Sequence, residues 1–111
     1  MSTVYLVHQI HNDISSAMRW GEIKYINLRY FYADELRGEE IPTTFLDNLK
    51  RCADQFNPDT DFLLVAGDHA QLIAFSSLLA VRHPFFRILR FDRIASAYFP
   101  IRVPGAALVS T

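Results

Sequence analysis

Cysteine is nearly absent from this chain. Cys52 is the only one among 111 residues, so no disulfide can form within the chain and a reducing compartment is the expectation. Glycine is scarce too, four in all. The segment around Gly67 has neither the spaced glycines of a dinucleotide fingerprint nor the Gly-Lys-Ser/Thr of an NTPase loop. Long apolar runs are missing. The longest, residues 62–66 and residues 73–81 with two serines inside, fall far short of the roughly 20 residues a membrane span needs. The opening Met1-Ser2-Thr3-Val4-Tyr5-Leu6-Val7-His8 has no basic segment and no small-residue cleavage site, so no secretion signal is read and the expected location is cytoplasmic. Nor is there an excess of either charge: 11 Lys and Arg face 12 Asp and Glu, a formal net charge of −1.

What is present points to one folded domain. Half the residues are hydrophobic and 14% are aromatic, enough apolar surface to offset the entropy of ordering a chain of this length. The sequence predicts a single α/β domain over residues 1–104, with a frayed tail at 105–111. Five prolines, at positions 42, 58, 84, 100 and 104, punctuate it.

Thr3 to Ile10, rich in β-branched and aromatic residues, reads as a first strand. Ile23 to Tyr32 alternates, with Ile26, Leu28 and Tyr30 on one side and Tyr25, Asn27 and Arg29 on the other, which is the period of a half-buried strand. Residues 14–22 favour neither state. After Pro42, the residues Phe45, Leu46, Leu49, Cys52, Ala53 and Phe56 gather on one helical stripe over residues 44–57, with Thr44 and Asp47 as the expected capping pair. Phe62 to Ala66 is apolar without alternation, as for a central strand covered on both faces, and Phe62, Leu64 and Val65 are expected to be buried. His69 to His83 reads as a nearly all-apolar helix stopped by Pro84. Phe86 to Asp92 and Ala97 to Val103 read as two further strands, the last at an edge because of Pro100. The order β-β-α-β-α-β-β predicts a mixed five-stranded sheet with a parallel centre and two main helices.

The segments Leu63-Leu64-Val65-Ala66-Gly67-Asp68, Leu89-Arg90-Phe91-Asp92-Arg93 and Tyr98-Phe99-Pro100-Ile101, with the first strand's Val4 to His8, carry a resemblance. The chain resembles a family of small tailed-phage accessory proteins in which a strand ends in a Gly-Asp turn, an Ala-rich helix follows, and the chain closes on a Trp-Asp-Arg segment and a Tyr-Pro strand. Phe91 stands here where the family has tryptophan, and His69 where proline is common. The resemblance implies an accessory viral protein, acting in the cytoplasm of a bacterial host, and carries over no activity.

Two groups of residues are candidates for function. Gly67, Asp68 and His69 lie where a parallel strand runs into a helix, the place where open α/β sheets bind ligands, and His8 and His11 converge on them if the first strand is parallel to it. The competing reading makes Asp68 a helix N-cap, boxed with Gln71. His-x-x-His on a strand sends the two rings to opposite faces, so no metal site and no cofactor are expected. The second group is Arg82, Arg87, Arg90, Arg93 and Arg102, which with Tyr98 could form a macromolecule-binding surface. The charge is segregated: residues 1–70 hold six Lys and Arg against eleven Asp and Glu, and residues 71–111 hold five Arg against Asp92 alone.

Aromatic residues at Trp20, Tyr25, Tyr30, Phe31, Tyr32, Phe85 and Phe86 favour protein interfaces. The leading expectation is therefore a non-catalytic protein that binds a second copy of itself or a host or viral protein. The alternatives are nucleic-acid binding through the arginines, which the net charge disfavours, and a small enzyme or phosphate-binding domain at the Gly67 turn.

Overall fold

A strand without polar alternation must lie inside a sheet with both faces covered, and Phe62–Leu64 (β3) does. The computed structural model describes residues 1–27 and 40–105. Its other elements, in chain order, are β1 (Thr3–Leu6), α1 (Ser15–Met18), β2 (Glu22–Tyr25), α2 (Thr43–Gln55), α3 (His69–Arg82), β4 (Phe86–Asp92) and β5 (Ala97–Val103). They form one five-stranded sheet in the order β2-β1-β3-β4-β5, with β3 in the middle. The first four strands are parallel, and β5 returns antiparallel beside β4. Pro100 thus sits on an edge strand, where its missing N–H does least harm.

The alternating side chains of the strands build two cores. On one face Tyr5, Val7 and Leu63 meet Leu49, Cys52, Ala53 and Phe56 of α2 and the segment after it, and Leu72, Phe75 and Leu79 of α3. On the other, Val4, Leu6, Phe62, Leu64, Leu89 and Tyr98 pack with Ala17 of α1 and with Ile14 and Trp20 beside it. Chain direction accounts for this division. From β1 the chain steps one way to β2, then crosses back over β1 to β3 and on to β4. Right-handed crossovers that run in opposite directions place their helices on opposite faces. The reversal makes the β1/β3 boundary the topological switch point of the sheet.

Several expectations need correction. Residues 14–22, which favoured no element, supply α1 and the start of β2, so β1 and β2 are joined by a crossover and run parallel. Helix α2 begins two residues earlier than a Thr44 cap requires. Its N-cap is Pro42, without a side-chain hydrogen bond, which places Thr44 inside the first turn. Val65 is 42% exposed, because β3 ends at Leu64 and the chain turns at once, with Ala66 N–H donating to the Leu64 carbonyl. Asn27, expected on the polar side of strand two, is buried. The expected continuation of that strand through Leu28, Arg29, Tyr30, Phe31 and Tyr32 lies outside the described residues, as does most of the tail.

Two smaller readings hold. Ser76 and Ser77 donate their hydroxyls to the carbonyls of Leu72 and Ile73 one turn back. Cys52 is buried on the core side of α2, and that burial pushes its thiol pKa upward.

Candidate functional site

At the switch point the chain leaves β1 through Val7 and His8 and leaves β3 through Gly67 and Asp68. Gly67 has φ +95°, in the left-handed region that glycine alone enters freely. A Cβ there would stand 2.9 Å from His8 Nε2 and 3.0 Å from a methyl of Val7, so the two loops touch because position 67 has no side chain. The close approach lets Asp68 N–H donate to His8 Nε2 at 2.9 Å. A backbone N–H can only donate, so Nε2 is the unprotonated ring nitrogen, and Nδ1 donates to the Gln9 carbonyl at 2.8 Å.

Asp68 is the N-cap of α3, its carboxylate accepting from Gln71 N–H at 2.9 Å. The second half of the expected capping box does not form. The Asp68 N–H goes to His8, and the Gln71 side chain turns to the interior, where its Oε1 accepts from Asn27 Nδ2 at 2.8 Å. Asn27 Oδ1 in turn accepts from Asn48 Nδ2 at 2.8 Å, and Arg51 donates to Asn48 Oδ1. A polar chain therefore runs from the cap of α3, under α2, to the surface. Asn27 and Gln71 within it are buried, where an unmade hydrogen bond is expensive.

His11 and His69 are both exposed. The strand ends at Leu6, so His8 and His11 lie in the loop beyond it and the opposite-faces argument does not apply to them. Among the described residues no three His, Cys, Asp or Glu side chains gather to hold a metal ion. On the α1 side of the same sheet end lies a cleft of about 450 Å³, with Asn12, Asp13 and Ser16 on one wall and Val65, Phe91 and Tyr98 on the other. Hydrogen bonding from Ser15 N–H holds the Asp13 carboxyl below its usual range. Ser16 Oγ accepts from Tyr98 N–H.

The arginines are distributed over several parts of the fold. Arg82, in the last turn of α3, pairs with Asp54 at 3.0 Å. Arg87 and Arg102 are cross-strand partners toward the start of β4. Arg90 follows on β4 and Arg93 lies in the turn after it, both exposed. That turn is closed by Asp92, whose carboxylate accepts from Ile94 N–H, and by Ser96 with φ 52°. The hairpin end presents Ile94 at 98%, Phe91 at 42% and Phe99 at 38% exposure. Together with Arg90 and Arg93 these residues border a hollow of about 440 Å³.

The sheet order, the reversal at β1 and the helices on both faces define an α/β protein of the doubly wound kind. The chain belongs to the Phage Pam3 gp32-like protein family, whose model matches residues 2–105, and it is thus a phage protein. No curated protein and no solved structure matches it. No helix among the described residues is long and apolar enough to cross a membrane.

Proposed function

We propose that this phage protein is a non-catalytic accessory protein that acts in the cytoplasm of the infected cell by binding protein, first of all a second copy of itself. The observation that carries the reading is the β4–β5 hairpin end. Phe91, Ile94 and Phe99 stand there in solvent between two arginines, a combination enriched at protein interfaces and depleted elsewhere on surfaces. The outer side of α3 supports it with a second exposed pair, Ile73 and Val81. Charge is segregated along the sequence, five arginines against one acid in residues 71–111 and eleven acids against six bases in residues 1–70, which favours association of unlike charges.

Sedimentation of the full chain over a range of concentrations tests this reading. Mass above the monomer is expected, falling to the monomer in Ile94→Asp. A monomer mass at every concentration would remove self-association. Protein binding would then depend on capture of a partner from phage-infected cells by the wild type and not by Ile94→Asp.

One observation favours a second reading, a small-molecule-binding domain. The cleft beside Val65 and Tyr98 lies at the carboxyl end of a parallel sheet and falls within the usual range of ligand sites. A thermal-shift screen of nucleosides and sugars tests it, because a ligand that binds only the folded state raises the midpoint.

A further inference from the structure

We propose that Arg87 and Arg102 form a binding site for a phosphate-class oxyanion on the α1 face of the sheet, away from both regions considered above. The two residues are direct partners in the antiparallel β4–β5 register, so their side chains leave the same face of the sheet. Like charges placed opposite each other destabilise a sheet. Among the described residues neither arginine has a carboxylate within ion-pair distance to relieve that repulsion.

Both guanidiniums are held in place. Arg87 lies over the Phe62 ring with Cζ 4.3 Å from its centroid, and donates from Nη2 to the Asp59 carbonyl at 2.6 Å. Arg102 lies over the Phe85 ring at 4.4 Å. A guanidinium laid on an aromatic ring keeps its planar fork of donors in one plane and loses less freedom when an anion arrives. Arg87 Nε is shielded from solvent and has no hydrogen-bond partner, so the Asp59 carbonyl meets only part of this guanidinium's donor capacity. An anion between the two arginines would add charge-assisted hydrogen bonds from their remaining donors.

The row continues past Phe62. The Trp20 ring meets Phe62 edge-on at 5.9 Å and carries Arg19 over it at 5.7 Å. Three arginines backed by three aromatic rings thus cross one face of a chain whose net charge is −1. The shared chemistry is the phosphate oxyanion, supplied either free or by the backbone of a single-stranded nucleic acid.

The test is calorimetric titration of the full chain with inorganic phosphate at low ionic strength, run beside anisotropy of a labelled oligothymidylate. Phosphate is expected to bind the wild type. Arg102→Gln should weaken it by about tenfold or more, and Arg87→Lys, which keeps the charge and loses the fork, should weaken it as well. Arg90→Gln, one strand position out of phase with both arginines, should leave it unchanged. Oligothymidylate binding that phosphate displaces identifies the nucleic-acid source; phosphate binding alone identifies the free anion. Without phosphate, Arg102→Gln should unfold at or above the wild-type midpoint, because it removes a like-charge pair. The proposal is overturned by no phosphate binding, by binding that Arg102→Gln leaves unchanged or Arg90→Gln weakens equally, or by an Arg102→Gln midpoint well below wild type.

Discussion

The switch point at Gly67 and the end of the β4–β5 hairpin are both built around tight turns, and they use their side chains in opposite ways. At the first, Gly67 closes on His8, Asp68 caps α3 and accepts no visitor in doing so, and Gln71, Asn27 and Asn48 satisfy one another in the interior. At the second, the turn is held by Asp92 and its own backbone, which leaves Phe91, Ile94 and Phe99 facing solvent. The Gly67 turn is taken up by internal hydrogen bonds, the cleft beside Val65 and Tyr98 opens at the same sheet end, and the apolar surface stands at the hairpin. This contrast is why protein binding ranks ahead of catalysis.

Substitutions at four positions break or sharpen the contrast. The largest effect is expected at Leu64, whose strand leads into the Gly67 turn and pairs with β4 of the hairpin. Leu64→Ala leaves a cavity in the core on the α1 face and should cost about 2–5 kcal/mol in denaturant unfolding. A loss under about 1 kcal/mol would place it outside the core.

Gly67→Ala comes next. It forces a left-handed backbone on a residue with a Cβ and drives that Cβ against His8, so a loss of about 1–3 kcal/mol is expected. Retention of wild-type stability would mean that the two loops are free to separate, and the region would again be open to a ligand.

Asp68 discriminates the cap from a chemical role. Asp68→Ala should cost about 0.5–2 kcal/mol, while Asp68→Asn, an equally good cap, should stay within about 0.5 kcal/mol and leave partner binding intact. An Asn variant that folds normally and loses function would return the carboxylate to the centre of the argument.

The smallest stability change belongs to the hairpin. Ile94→Asp touches no core, so its midpoint should stay within about 0.5 kcal/mol of wild type while association is lost. A large destabilisation would show the hairpin end to be structural.

The parts of this fold that were legible in the sequence are those decided by near neighbours. The apolar run of β3, the Asp68 cap three residues from Gln71, the Pro84 stop and the Pro100 edge strand all follow from local chemistry, and β4 and β5 begin and end where the sequence places them. What was not legible depends on distant partners. The capping box is incomplete because His8, sixty positions earlier, takes the Asp68 N–H. Asn27 reads as a solvent-facing strand residue until Gln71 and Asn48 close around it. The mixed polar and apolar segment of residues 22–27 carries no local mark of that burial, because the partners lie elsewhere in the chain. Four residues at 15–18 are too short to show a helical period.

That short helix also constrains the order in which the molecule can assemble. A helix of four residues has no stability of its own in water. It is fastened by Tyr98, whose N–H donates to Ser16 Oγ across 82 positions and whose carbonyl accepts from Trp20 Nε1 across 78. A chain emerging from the ribosome therefore releases α1 long before the strand that secures it exists. The Tyr98 contacts of the first crossover form only once β5 is synthesised, and such long-range closure slows folding. The single indole of the chain lies at that junction, between Phe62 and the Tyr98 carbonyl, so Trp20 fluorescence should report the docking of the first crossover on the sheet.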